Sequence, residues 1–291
     1  MRGGFASKSN ILASVRGVVT SATLSWVLTR LEEGERVALA SVVEASGSVP
    51  GKPGARMAVT NTGIRHGTIG GAGLELKVEK HLREILLDKI ATSRIEKYVL
   101  YRDAKGQEAT ALNSLCGGTV TVSLEVLEPM PHILIAGGGH CGQAISVVCE
   151  NLGWSYSVFD VRNEFADSDL YPNAVEHHSC DVEEFIERET NTTLSRFSDV
   201  LLLGHDWSVD QDLLIGLLLN RGDSERPRIG AIGSRAKWKV FKEAAISKGV
   251  LESSIDSVRC PIGIDIGAES PEEIAISVCA EIMALDKGIR E

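Results

Sequence analysis

The 291-residue chain is poor in aromatic residues, which make up 5% of it, and its 30 basic side chains are outnumbered by 40 acidic ones. The net charge of −10 excludes the broad basic surface that nucleic-acid binding requires, so we expect no nucleic-acid partner. The longest uncharged stretch, residues 129–149, is interrupted by two prolines and several glycines. It lacks the ~20 consecutive apolar residues of a membrane-spanning helix, and we expect no membrane association.

The six cysteines occur singly, and no two of them have the CxxC spacing of a zinc site or a redox motif. Their positions are 116, 141, 149, 180, 260 and 279. The first residues of the chain show no continuous apolar core of the kind that a secretory signal has. We therefore expect a cytoplasmic protein whose cysteines stay reduced.

Hydrophobic periodicity divides the chain into two α/β domains, residues 1–130 and residues 131–291. In the first, short strands and glycine-rich loops surround an amphipathic helix over residues 74–90, and residues 65–73 are expected to form a loop. In the second, strands alternate with helices, and residues 260–265 are expected to be its last strand. This alternation is typical of βαβ units and a parallel sheet, so the sequence predicts an N-terminal mixed α/β domain and a C-terminal Rossmann-like domain.

The two predicted domains differ sharply in charge. Residues 1–130 carry 16 Lys and Arg against 13 Asp and Glu, whereas residues 131–291 carry 14 against 27. The field of a strongly acidic domain repels anions. The first domain is therefore the better host for an anionic ligand.

The sequence GGGHCG at residues 137–142 follows a predicted strand and begins a predicted helix, as the dinucleotide-binding pattern GxGxxG requires. Gly137 would allow the tight turn, Gly139 would let a pyrophosphate approach the backbone, and Gly142 would let the helix pack on the strand. Asp160 ends the next strand and would bind a ribose hydroxyl, or Arg162 would instead bind a 2′-phosphate. The alternative is a Rossmann-like domain that keeps its glycines for packing alone.

Two further strand ends of the second domain carry polar side chains. His205 and Asp206 follow one predicted strand, and Arg235 follows the next. Ligands of open α/β sheets bind beyond the carboxyl ends of the strands, so we expect these three side chains to line one crevice. Helix capping is the competing explanation for Asp206. In a nicotinamide-dependent enzyme, His205 would be the best acid–base candidate.

Three glycine-rich loops mark the first domain. Their sequences are GSVPGKPGARM at residues 47–57, GTIGGAG at residues 67–73 and LCGG at residues 115–118. Backbone amides in such loops form concave nests that bind anions. Turn chemistry explains each loop by itself, but the three together indicate a pocket for an anionic ligand.

Each loop contributes candidate groups to this pocket. Lys52 and Arg56 supply positive charge, and a guanidinium can hold phosphate or carbonyl groups with its fork. Gly70 and Gly71 supply amides at the start of the predicted helix. Cys116, beside Gly117, supplies one thiol, which is too few ligands for a zinc site. A soft thiolate can still be one ligand of a metal that brings its other ligands along. A nucleophilic thiol partnered by His66 is the competing interpretation.

Taken together, these motifs resemble those of the XdhC/CoxI family, which are maturation factors for molybdenum hydroxylases. The resemblance covers nearly the whole chain. It also rests on the segments HD…D at residues 205–210 and IGSR at residues 232–235, and on the long run PIGIDIGAESPEEIAIS at residues 261–277. The chain departs from the family at Ala72, where the family usually has a glycine.

The resemblance implies that the chain binds molybdenum cofactor, supports its sulfuration with a cysteine desulfurase, and delivers it to an apoenzyme of the xanthine dehydrogenase or CO dehydrogenase type. It implies Cys116 as the thiol that binds the molybdenum, and Lys52 and Arg56 as phosphate or pterin partners. We also expect a homodimer. Members of the family are not themselves oxidoreductases. From the residues alone, an NAD(P)-dependent oxidoreductase and a non-catalytic nucleotide-binding scaffold stay open as alternatives.

Overall fold

The structure is a computed structural model that describes residues 21–88, 93–100, 110–111, 117–222, 224 and 226–289. The chain forms two compact units, Met1–Pro129 and Met130–Glu291. Within the described ranges, no helix combines the length and the apolar character that a membrane crossing requires.

The first unit is a six-stranded sheet with a helix on each face. Its elements are α1 (residues 21–32 in the described part), β1 (Val37–Gly47), β2 (Arg56–Thr60), β3 (Arg65–Thr68), α2 (Ala72–Leu86), β4 (Ser93–Val99), β5 (Thr110–Ala111) and β6 (Gly118–Leu127). The strand order is β3-β2-β1-β6-β4-β5, and every neighbouring pair is antiparallel except β4 with β5.

Alternation along β1 explains why two helices cover this sheet. Ala38 and Val42 face α2 and pack in one core cluster with its Val78. Val37 faces the other way and packs in a second cluster with Val27 of α1. Successive side chains of a strand point to opposite faces, so the four consecutive buried residues at the start of β1 need a layer on both sides.

The second unit is a parallel five-stranded sheet in the order β11-β10-β7-β8-β9, as in a Rossmann-like domain. Its strands are β7 (His132–Ala136), β8 (Ser155–Phe159), β9 (His177–His178), β10 (Asp199–Leu202) and β11 (Arg228–Ala231). Its helices are α3 (His140–Leu152), α4 (Val182–Arg188), α5 (Asn191–Leu194), α6 (Trp207–Arg221), α7 (Arg235–Ser247), α8 (Glu252–Asp256) and α9 (Pro271–Asp286), with a 3₁₀ turn at Asn163–Phe165.

Helices cover both faces of this sheet. Leu134 of β7 packs in one cluster with Leu214 of α6, whereas its neighbour Ile135 packs in another with Ile145 of α3 and Val278 of α9. Parallel strands buried on both faces are apolar along their whole length, which explains the run HILIA of β7. The predicted α/β class, with a Rossmann-like second domain, is confirmed.

Two predicted elements are wrong. Residues 65–73 do not form a continuous loop, because Arg65–Thr68 is a strand paired with β2. Residues 260–265 are not a strand, and Arg259 alone forms an isolated bridge with Gly230 of β11. Pro261 has no amide hydrogen to donate and Gly263 has a φ of 96°, so this segment cannot continue a ladder.

Candidate functional site

The first two glycine-rich loops of the first unit pack against each other through their backbones. A Cβ at Gly70 would lie 2.6 Å from the amide nitrogen of Gly51, and a Cβ at Gly51 would overlap the carbonyl oxygen of Ile69. A Cβ at Gly71 would likewise lie only 2.7 Å from the ring of Pro50. Glycine is therefore required here so that the two loops can touch.

The third loop joins the same cluster. The amide of Ser48 donates a hydrogen bond to the carbonyl oxygen of Gly117, with the nitrogen and oxygen 2.7 Å apart. A Cβ at Gly47 would lie 2.7 Å from that same carbonyl oxygen. We call residues 47–57, residues 67–73 and Gly117 the glycine-loop cluster. The three loops that the sequence singled out are thus brought together.

Two of the predicted site residues are cations of this cluster. Lys52 is exposed and Arg56 is half-buried, and Arg56 donates a hydrogen bond to the carbonyl oxygen of Gly54. None of the carboxylates that the structure describes forms an ion pair with either side chain. Their positive charges are therefore available to a ligand.

Cys116 lies outside the described residues, next to Gly117. Among the residues that are described, no group of three or more His, Cys, Asp or Glu side chains is arranged to hold a metal ion. His66, the competing partner for the thiol, stacks on Trp26 of α1 with ring centroids 5.2 Å apart. Its Nδ1 is buried without a hydrogen-bond partner.

Helix α2 begins directly after the second loop. Gly71 is its N-cap with a φ of 68°, and Ala72 is its first helical residue. Ala72 therefore needs no left-handed backbone, and its replacement of the family's usual glycine is accommodated. Thr68 donates a hydrogen bond to Glu75 in the first turn of α2, which fixes the loop against the helix.

In the second unit, the glycine turn between β7 and α3 has the geometry that its sequence predicts. Gly137 has a φ of 117°, and a Cβ there would lie 2.6 Å from the carbonyl carbon of Leu203. A Cβ at Gly142 would lie 2.5 Å from the carbonyl oxygen of Gly137, which shows the close packing of helix on strand. At Gly139, by contrast, a Cβ would meet nothing within 4 Å. The backbone is open at the one position where a phosphate would approach.

Asp160 and Arg162, predicted as alternative ribose and phosphate ligands, bind each other. Arg162 donates from Nε and Nη2 to the carboxylate of Asp160 over 2.9 and 2.8 Å, and the amide of Gly138 donates to the same carboxylate over 3.0 Å. The guanidinium also stacks on Phe165, 3.8 Å from the ring centroid. Burial would raise the pKa of Asp160, but these hydrogen bonds hold it below its usual value.

A narrow cleft of about 20 Å³ lies at the carboxyl ends of β7, β8 and β10. Its lining includes Gly137, Asp160, His205 and Asp206, so the structure brings four predicted residues together. Arg235 is exposed at the start of α7 and is not among the lining residues. Asp206 is the N-cap of α6 and accepts from the amide of Ser208, as the capping explanation predicted.

The same cleft contains a charge pair that sequence analysis missed. Asp210, 2% exposed, accepts hydrogen bonds from Lys237 Nζ and from the amide of Gly204, each over 3.0 Å. Burial raises the pKa of Asp210 above its usual value despite the hydrogen bond from Lys237. The two residues are 27 positions apart on different helices, so no local pattern signalled the pair.

The long motif of residues 261–277 lines a separate cavity of about 510 Å³ beyond the end of β11. Residues 261–268 form one wall, and Gly233 and Ser234 of the IGSR segment form part of the other. Ser277 donates a hydrogen bond to the carbonyl oxygen of Ile264 over 2.6 Å, which holds the loop on α9. Two of the motifs that carry the family resemblance therefore meet in space.

The chain belongs to the XdhC and CoxI family. Residues 133–282 match the family model described as the XdhC Rossmann domain, and residues 30–98 match the model of the XdhC and CoxI family. The family membership that the sequence motifs predicted is confirmed. The two matched regions fall in the two units of the structure.

Two curated relatives are similar to this chain. The uncharacterized protein YqeB of Escherichia coli K12 is 31% identical over 254 residues, which is 84% of this chain and 43% of that protein. A protein of Bacillus subtilis described as a probable xanthine dehydrogenase subunit is 26% identical over 176 residues, covering 59% of this chain and 48% of that protein. The chain thus spans less than half the length of these relatives.

A crystal structure described as a xanthine dehydrogenase from Bacillus halodurans is also similar. It is 18% identical in sequence, with a TM-score of 0.47, and the similarity covers 91% of this chain and 96% of that one.

Proposed function

We propose that this protein is a maturation factor that binds molybdenum cofactor as cargo and passes it to a molybdenum hydroxylase apoenzyme. Membership of the XdhC and CoxI family supports the role. The observation that carries the choice of site is the convergence of the three loops in the glycine-loop cluster. The loops meet so closely that Gly51 and Gly70 have no room for a side chain.

The residues of the cluster fit an anionic, phosphate-bearing pterin. Lys52 and Arg56 supply two cations that no described carboxylate neutralises, and a guanidinium fork matches phosphate geometry. At Gly54 and Gly73, where a Cβ would meet nothing within 4 Å, a planar ligand can approach the peptide groups closely. The acidic second unit offers no comparable pair of unneutralised cations in its cleft, where Arg162 binds Asp160 and Lys237 binds Asp210.

Cys116 would supply the thiolate ligand for the molybdenum of the cargo. Its sequence neighbour Gly117 is tied to Ser48 by a backbone hydrogen bond and belongs to the cluster. Soft thiolates prefer metals that bind sulfur. Binding through this thiol would hold the cargo while a cysteine desulfurase supplies sulfur and until a client apoenzyme of the xanthine dehydrogenase or CO dehydrogenase type accepts it.

The test is the molybdenum and pterin content of the full chain, purified from cells that make the cofactor. We expect both in the wild type and a loss of both in Cys116→Ser. Cys180→Ser is the matched control, because Cys180 is a partly exposed free cysteine of the second unit. Equal molybdenum and pterin in the wild type and in Cys116→Ser would remove the thiol from the proposal.

We infer a second, separate activity for the glycine turn, which is the binding of NAD(P) or another nucleotide. The open backbone at Gly139, at the N-terminus of the 13-residue helix α3, favours a phosphate there. Calorimetric titration with NAD, NADP and ATP tests it, and Gly139→Val should abolish any heat of binding. If a dinucleotide binds without turnover of any substrate, the domain is a scaffold rather than an oxidoreductase.

A further inference from the structure

Arg221 is a buried arginine at the last position of α6, where it is 4% exposed. Its Nη1 donates to the carbonyl oxygen of Pro227 over 3.1 Å, and its Nη2 donates to the hydroxyl of Ser257 over 2.8 Å. The Nε is buried and has no hydrogen-bond partner. Among the residues that the structure describes, neutral groups alone hold the guanidinium.

No carboxylate in the described ranges forms an ion pair with Arg221. The two other arginines nearby are different, because Arg228 pairs with Asp199 and Asp286, and Arg259 pairs with Asp199 and Glu281. Burial lowers the pKa of Arg221, although an arginine side chain stays charged in proteins. A buried charge is costly unless it is paired. The carboxyl end of α6 offers only a partial negative charge in compensation.

Arg221 lines a cavity of about 310 Å³ that is rich in hydroxyl groups. We call it the serine–arginine cavity, and its polar lining consists of Arg221, Arg228, Ser224, Ser253, Ser254 and Ser257. Serine hydroxyls and guanidinium groups are donors that bind phosphate oxygens. The cavity lies beside the first residue of β11, at the opposite end of the parallel sheet from the glycine turn.

We propose that the serine–arginine cavity is a binding site for a phosphate-sized oxyanion, either free phosphate or the phosphoryl group of a small metabolite. The anion supplies the counter-charge that Arg221 lacks among the described residues. Arg228 is already neutralised by Asp199 and Asp286, so Arg221 and the serine hydroxyls carry the recognition.

Thermal unfolding of the full chain tests the proposal, with inorganic phosphate compared with chloride at equal ionic strength. A ligand that binds only the folded state raises the Tm, and 10 mM phosphate at a Kd of about 1 mM should raise it by about 3 °C. Titration with ribose 5-phosphate is the second arm. A larger shift at equal concentration assigns the site to phosphorylated metabolites, and an equal or smaller shift assigns it to phosphate itself.

Three variants show whether the shift comes from this cavity. Arg221→Met should abolish it, and Ser253→Ala/Ser254→Ala should reduce the affinity at least several-fold while leaving both hydrogen bonds of Arg221 in place. Lys239→Gln, at an exposed position of α7, should keep the full shift, which separates this site from general surface charge. If Arg221→Met does not fold, the serine variant decides.

Two results would overturn the proposal. One is a phosphate shift of the same size in the wild type and the serine variant. The other is a wild type whose Tm does not respond to phosphate.

Discussion

Glycine has a different structural role in each of the two glycine-rich regions of this protein. In the glycine-loop cluster, glycines let separate loops touch, as Gly47 does with Gly117 and Gly51 with Gly70. In the glycine turn, Gly137 and Gly142 let one turn pack on its own sheet and helix, while Gly139 stays open. The first arrangement builds a surface from distant segments, and the second presents one helix terminus.

The two regions also differ in whether their charged side chains form ion pairs. The cations of the glycine-loop cluster have no described acidic partner, whereas the glycine-turn cleft has its charges paired as Asp160 with Arg162 and Asp210 with Lys237. A site with unneutralised cations suits an anionic cargo, and a site with paired charges suits a ligand held by backbone amides. This difference is why we place the molybdenum cofactor in the first unit.

The largest effect is expected where the loops touch. Gly70 has a φ of 92° and a Cβ there would lie 2.6 Å from backbone atoms of Pro50 and Gly51, so Gly70→Ala should cost about 2–4 kcal/mol. Urea unfolding measures this free energy. Gly73→Ala is the matched control in the same loop, because a Cβ there meets nothing within 4 Å, and it should be neutral or stabilising by about 0.5 kcal/mol. Similar losses in both variants would mean that the loops are not packed as described.

A smaller effect is expected in the glycine turn. Gly142→Ala should lower the free energy of unfolding by about 2–3 kcal/mol, because its Cβ would lie 2.5 Å from the carbonyl oxygen of Gly137. Gly139→Ala should cost under about 1 kcal/mol, since only the preference of the N-cap position is affected. The same urea experiment compares them. A larger loss at Gly139 than at Gly142 would contradict the open backbone at Gly139.

The ion pair of Asp160 predicts a pH-dependent effect. Asp160→Asn should cost about 2 kcal/mol at pH 7, because charge-assisted hydrogen bonds to Arg162 and Gly138 are lost. The folded pKa of Asp160 is lowered from its unfolded value of about 3.9, so its stabilising contribution is full above that value. It disappears as the pH falls through the folded pKa.

Urea unfolding of the wild type and Asp160→Asn between pH 7 and pH 3 measures this difference. The gap should narrow only below about pH 4. Asp212→Asn, at an exposed position of α6, is the control and should change stability by less than about 0.5 kcal/mol throughout. A gap that is unchanged at low pH would show that the ion pair does not stabilise the fold.

The smallest effect on stability is expected for the cations of the glycine-loop cluster. Lys52→Gln/Arg56→Gln should change the free energy of unfolding by less than about 0.5 kcal/mol, because neither side chain has a described ion-pair partner. The same variant should lower the molybdenum content of the purified chain. Lys97→Gln, exposed on β4, should change neither quantity. Wild-type molybdenum content in the double variant would exclude the two cations from cargo binding.

Sequence patterns predicted most helices and strands, but they missed one short strand and predicted another that does not form. Helix α3 and strand β7 follow directly from an apolar run and a glycine turn. The strand Arg65–Thr68 was missed because its short polar sequence has no apolar alternation, and it forms through pairing with β2, which is a tertiary contact. Residues 260–265 place apolar side chains at every second position, as a strand can, but Pro261 and Gly263 prevent pairing beyond Arg259.

The candidate site was predictable as far as its motifs are local. The three loops and the roles of Gly137 and Gly142 could be derived from the sequence. Closely spaced glycines indicate tight turns and close backbone packing. The ion pair between Asp160 and Arg162 could not be predicted, because the sequence is the same whether the two side chains bind a ligand or bind each other. Lys237 and Arg221 were missed for a related reason, since their environments are formed by residues that are distant in the sequence.

The central claim is that the cargo binds in the glycine-loop cluster of the first unit and not at the glycine turn of the second. The molybdenum-to-protein ratio of two variants, each purified as the full chain from cells that make the cofactor, tests it most directly. We predict that Cys116→Ser loses its molybdenum and that Gly139→Val keeps the wild-type ratio. The opposite result, with molybdenum kept in Cys116→Ser and lost in Gly139→Val, would contradict the account.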